Sequence, residues 1–131
     1  MLDLSTLRSL LLIDSPTGFT HTACDYIESV LRSYGYSPER TPKDAVRCAL
    51  GDNPVLAIAA HTDTLGAMVS GITSSGLLRF SLLGGPLLPT FEASYVRIRT
   101  LSGSVFTGTI LLDNPSTHAN KNAATGERSI A

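Results

Sequence analysis

Apolar residues recur at helical spacing near the start of the chain. Leu4, Leu7 and Leu11 fall on one stripe, with Leu10 beside them. That spacing predicts a helix over residues 3–13. Asp3 can cap its N-terminus, and Arg8 falls off the stripe, toward water. Ser15-Pro16-Thr17-Gly18 breaks the pattern. A second helix is predicted to begin within residues 20–22 and to run to Tyr34, with Ala23, Ile27, Val30, Leu31 and Tyr34 on one face. Gly35 suits a left-handed C-terminal cap. Residues 36–40 and 45–50 read as strands, with Arg47 facing out. Gly51-Asp52-Asn53-Pro54 is a strong turn. Residues 55–60 follow, apolar at every position, and are predicted to be a buried central strand.

The pattern changes after Gly66. Met68-Val69 and Gly71-Ile72 lead to Ser74-Ser75-Gly76, and residues 77–80 return, which predicts a hairpin. Leu83-Gly84-Gly85-Pro86 reads as a loop. Val96-Arg97-Ile98-Arg99 alternates at a period of two, with Val96 and Ile98 inward. Ser102-Gly103-Ser104 turns the chain, and residues 105–112 continue as strand. The predicted organisation is therefore a helix-and-strand part over residues 1–66 and a β-rich module over residues 67–112. Residues 113–131 are polar, small and without period, a return segment or loose tail.

Composition narrows the class. The chain has 131 residues, of which 43% are hydrophobic and 16% charged, so a packed globular protein is expected rather than a disordered one. With a formal net charge of −1, nothing in the composition suggests nucleic acid or an anionic membrane as a partner. Charge is uneven but mild: residues 1–66 hold five Lys/Arg against eight Asp/Glu, and residues 67–131 hold five against three. An acid stands where a signal peptide would be basic, and Leu10-Leu11-Leu12-Ile13 is too short to span a bilayer. A cytoplasmic protein is the expectation. Cys24 and Cys48 have no metal-ligand spacing and read as free thiols.

The chemistry concentrates at Ala60-His61-Thr62-Asp63-Thr64-Leu65-Gly66. An imidazole can ligate a metal, and a carboxylate two residues on can steer it. On these residues alone, two readings of His61 stay open: a metal ligand, or a satisfied histidine at a strand end. Asp63 alone could equally form a local turn. His21 reads as a surface or capping residue, and His118 as a loop residue. Asp113 and Glu127 are isolated carboxylates. Gly84-Gly85-Pro86 has no Lys and no following helix, so it is a turn and not a phosphate loop. Arg97 and Arg99 read as the solvated face of a strand.

A series of marks, in order, resembles a known family. It begins with Ser15-Pro16-Thr17-Gly18-Phe19 and Tyr34-Gly35-Tyr36. It continues with Ala60-His61-Thr62-Asp63-Thr64-Leu65-Gly66-Ala67-Met68-Val69, then Ile72 and Gly76-Leu77-Leu78-Arg79-Phe80. It ends with Leu83-Gly84-Gly85, Val96-Arg97-Ile98 and Pro115-Ser116-Thr117-His118. Over residues 8–118 the chain is similar to the N-terminal portion of the glutamyl-aminopeptidase and deblocking-aminopeptidase family of dinuclear metallopeptidases, some labelled endoglucanase or cellulase-like.

The resemblance implies an α/β fold, the start of an aminopeptidase-like catalytic domain followed by a small β-barrel-like insert, truncated in this chain. It implies hydrolysis of N-terminal residues from peptide substrates with two zinc or cobalt ions, in a homo-oligomer. By position, His61 matches a metal ligand and Asp63 the catalytic carboxylate that orients its imidazole. Thr62 and Thr64 stand where the family commonly has Met and Glu. The bridging Asp, the Glu general base and the remaining ligands fall, by the resemblance, beyond the equivalent of residue 131. Two other functions compete: a related metal-dependent deacylase or carboxypeptidase, and a non-catalytic assembly or binding fragment. The β segment directly after Gly66 argues against the deacylase reading, since in those relatives the insert comes later.

Overall fold

The computed structural model describes residues 3–87, 90–111 and 118. Its elements are α1 (Leu4–Leu11), α2 (His21–Ser33), β1 (Glu39–Arg40), β2 (Val46–Arg47), β3 (Gly66–Ile72), β4 (Leu78–Leu83), β5 (Tyr95–Arg99) and β6 (Val105–Thr109). The described chain is mixed helix and strand. Its strands form three two-stranded sheets and, among the described residues, close no barrel.

Two compact units divide the chain: residues 1–67 with 82–84, and residues 68–81 with 85–131. In the first, Asp3 caps α1 as its sequence position suggests, its carboxylate accepting from the backbone N–H groups of Ser5 and Thr6. The Ser5 and Thr6 hydroxyls bond it as well and hold its carboxyl well below the usual range. Helix α2 ends at Gly35, with φ 84°. Gly35 N–H reaches the Arg32 carbonyl at 2.9 Å and Tyr36 N–H the Leu31 carbonyl at 3.1 Å, the two bonds of a Schellman cap. Polar ties join the helices: the Tyr26 hydroxyl donates to the Thr6 carbonyl at 3.3 Å. Ala23, Cys24, Ser15 and Pro38 are buried. Most of the α1 stripe is not: Leu4, Leu7 and Leu11 remain exposed.

Strands β1 and β2 form a short antiparallel hairpin, with Glu39 opposite Arg47 and Arg40 opposite Val46. Arg47 faces out and pairs with Glu39. The reading of residues 55–60 as a buried central strand is corrected here. They carry no strand pairing, and Val55, Leu56 and Ile58 are 101%, 78% and 91% exposed. A strand exists only where a neighbour takes up its N–H and C=O groups. Among the described residues none runs beside this segment. The first pairing comes at Thr64, in a parallel bridge with Pro16.

Hairpin β3–β4 turns at residues 73–77, where Thr73 N–H reaches the Leu77 carbonyl at 2.8 Å. In the second unit, β5 and β6 are antiparallel, running from Tyr95 opposite Thr109 to Arg99 opposite Val105. Val96 and Ile98 are half-buried while Tyr95, Arg97 and Arg99 are exposed, the alternation their period of two predicts. Ile98 lies over Gly108, where a Cβ would come within 2.8 Å of its Cδ1. Asp113, Glu127 and the 113–131 segment lie outside the described residues, save exposed His118.

Candidate metal-ligand site

Two segments of the first unit meet in register. Thr64 N–H donates to the Ser15 carbonyl at 2.7 Å, and Thr17 N–H donates to the Thr64 carbonyl at 3.3 Å. Pro16 packs so closely on Gly66 that a Cβ there would lie 2.6 Å from the Pro16 Cβ. Gly18, with φ 89°, then lets the chain turn, and Phe19 N–H closes on the Pro16 carbonyl at 2.8 Å. The break that the sequence shows at Ser15-Pro16-Thr17-Gly18 is thus a docking segment for the turn that holds Asp63.

His61 and Asp63 are brought together. Nδ1 of His61 lies 3.2 Å from Asp63 Oδ1 and 3.0 Å from the Asp63 carbonyl. Both neighbours are acceptors, so Nδ1 carries a proton, and in the neutral ring Nε2 is left with the lone pair. The imidazole is 86% exposed. The second oxygen of Asp63, Oδ2, accepts from the Thr17 hydroxyl at 2.8 Å. That bond, the largest influence, holds the Asp63 carboxyl below its usual range against desolvation, with a smaller contribution from the nearby His61. Asp63 is therefore a carboxylate with one oxygen on the imidazole and the other on a hydroxyl.

This donor set fits a divalent transition metal at one position. A neutral imidazole with Nδ1–H on a carboxylate and Nε2 free is the arrangement that metal-binding histidines adopt. His61 would be the ligand and Asp63 its orienting partner. Among the described residues, no group of three or more His, Cys, Asp or Glu side chains gathers to hold a metal.

An open cavity of about 840 Å³ borders the pair, lined in part by Thr17, His21, Cys24, His61, Thr62 and Asp63. His21 opens α2 with its ring edge-on to Phe19, the centroids 4.4 Å apart. Cys24 is buried, and its Sγ lies 4.0 Å from the Thr62 hydroxyl. Sequence reasoning gave no role to Thr17 or to the Cys24–Thr62 contact. The one available signal for Thr17 was its place in a Pro-Thr-Gly turn, where a hydroxyl is free to bond outward.

Residues 45–130 match the model of the M42 glutamyl aminopeptidase family. The chain is also 38% identical over 125 residues to the Bacillus subtilis (strain 168) protein named "Putative aminopeptidase YhfE". That alignment covers 93% of this chain and 36% of the relative, so the chain spans about a third of that protein's length. The chain belongs to the M42 glutamyl aminopeptidase family. No helix among the described residues is long and apolar enough to cross a membrane.

Proposed function

We propose that this chain serves a metal-dependent aminopeptidase, supplying His61 as one metal ligand and Asp63 as the carboxylate that orients it. The observation that carries the reading is the Nδ1 contact to Asp63 at 3.2 Å, which leaves Nε2 of an exposed ring free to ligate. A bound divalent cation would supply Lewis-acid polarisation of the scissile carbonyl and activation of water. The chain's own residues do the positioning. Asp63 keeps the proton on Nδ1 and fixes the plane of the ring, and the open cavity beside it leaves room for a peptide's N-terminal end. One imidazole is not a zinc site, which in hydrolases takes three protein ligands. His61 therefore fills one position among other donors that the described residues do not gather.

The substrates are peptides, the metals zinc or cobalt, and the working form an oligomer. Family membership favours this reading over the deacylase and carboxypeptidase alternative. The test is a titration of the chain with Zn²⁺ watched at the histidine ring signals. The reading expects His61 to respond first and the response to vanish in His61→Ala. A cation that perturbs His21 and His118 as strongly as His61 would overturn it.

A further inference from the structure

We propose that Thr17 is a positioning residue: its hydroxyl locks the Asp63 carboxylate in the orientation that presents His61 Nε2 outward. This role rests on the reading of His61 as a ligand but stands on separate contacts. An aspartate on an exposed turn has two rotatable side-chain bonds and a choice of nearby partners, its own backbone among them. One bond to an imidazole at 3.2 Å leaves the carboxylate free to swing away. A second bond at the other oxygen, 2.8 Å from Thr17 Oγ1, removes that freedom.

Thr17 can do this because it is itself held. Its N–H is on the Thr64 carbonyl, its neighbour Ser15 receives Thr64 N–H, and Pro16 abuts Gly66. The hydroxyl therefore comes from a backbone registered against the turn it serves, 46 residues away in sequence. A hydroxyl has one proton to give. Here it goes to Asp63. The chain of contacts runs from the Ser15–Thr17 segment through the Asp63 carboxylate to Nδ1 of the imidazole, where it adds to the Asp63 backbone carbonyl at 3.0 Å in favouring the Nδ1–H tautomer.

A structural staple and a positioning residue predict different results. The experiment uses the 131-residue chain labelled with ¹⁵N in its histidines, at pH 8.5, above the ordinary imidazole range. Long-range ¹H–¹⁵N spectra give the ratio of Nδ1–H to Nε2–H forms of His61. Thr17→Val removes the hydroxyl at nearly constant shape, and Thr17→Ser retains it. We expect Thr17→Val to lower the ratio by about 3–10-fold, the worth of one hydrogen bond, and Thr17→Ser to restore it. Apparent Zn²⁺ affinity read at the His61 signals should fall by a similar factor.

Far-UV circular dichroism checks that the helices persist, and Thr17→Ala carries the same comparison if the valine variant loses them. An unchanged ratio in a folded Thr17→Val or Thr17→Ala overturns the proposal, whatever the cation does. So does a ratio that falls equally in Thr17→Ser. Zn²⁺ that never perturbs His61 in the wild-type chain removes the metal-ligand reading alone, and the tautomer comparison still decides the role of Thr17.

Discussion

Asp44 holds the same left-handed position in its turn that Gly103 holds in another. Its φ is 63°, that of Gly103 is 89° and that of Gly76 is 86°. The three turns share one plan. Thr41, Thr73 and Thr100 each donate their N–H to the carbonyl four residues on, and each hydroxyl accepts the N–H of that same residue. The hydroxyl acts as a side-chain substitute for a missing ladder bond. Glycine enters the left-handed region without cost, while other L-residues do not. Gly76→Ala and Gly103→Ala should each destabilise the chain by about 1–2 kcal/mol. Asp44→Gly should change it less, because the backbone relaxes while the bond from Arg40 Nη1 is lost. Urea unfolding of the three variants makes the comparison. An equal loss from all three would remove the conformational argument.

Arg40 ties the first hairpin to α2. Its guanidinium meets Asp25 at 2.6 Å, Glu28 at 3.1 Å and Asp44 at 2.6 Å. Arg32 first, and Arg40 second, hold the Glu28 carboxyl below its usual range. The sign follows from linkage. A carboxyl with a folded pKa below its unfolded one stabilises above the unfolded value, and the gain is lost as pH falls through the folded one. Thermal stability should therefore decline below about pH 4.3, the ordinary glutamate value, more steeply in the wild type than in Arg40→Ala. Arg40→Lys should lie between, since an ammonium cannot serve three carboxylates in the geometry of a planar fork. Melting curves from pH 3 to 7 read the effect, and parallel profiles would dismiss the network. High salt should shrink the difference, as these groups are partly exposed.

The apolar face of residues 55–58 bears on association. Val55, Leu56 and Ile58 are exposed with no described strand beside them. Exposed apolar segments with open backbone groups recruit other chains. Sedimentation velocity should show concentration-dependent association of the 131-residue chain. The double substitution Val55→Thr, Ile58→Lys should reduce it without loss of the helical signal. A monodisperse monomer at high concentration would sink this expectation.

Local order in this protein was legible because its signals are local. Asp3 before an apolar stripe, Gly35 after one, and Ser-Gly pairs between alternating runs each act within a few residues. Each stands in the structure where its chemistry demands. Residues 55–60 misled because an all-apolar run reports only that burial would be favourable. Pairing depends on a neighbour that composition cannot supply. At the candidate site, His61 and Asp63 were visible as a spacing of two. Thr17 was invisible in that role because its partner lies 46 residues away, and no periodicity encodes a contact of that range. The Arg40 cluster escaped for the same reason: Asp25, Glu28 and Asp44 come from a helix and a turn that only the fold assembles.

The His61–Asp63 pair carries the chemical prediction. A lone imidazole retains zinc poorly, because tight sites combine several ligands. Residues 1–131 alone should bind Zn²⁺ or Co²⁺ weakly and release no p-nitroaniline from aminoacyl-p-nitroanilides above background. In a protein of the relative's length that carries these residues, His61→Ala should abolish most turnover. Asp63→Asn should weaken metal retention by roughly 10–100-fold, as loss of an orienting carboxylate does. Its amide has one oxygen in place of two, so it cannot accept from both Thr17 and His61 through equivalent atoms. Metal content and turnover must be measured together on each variant. Robust turnover by the 131-residue chain would mean the site is complete within it and has been misassigned. Unchanged turnover in His61→Ala would take His61 out of the mechanism, and the imidazole would stand as a structural group bonded to its own turn.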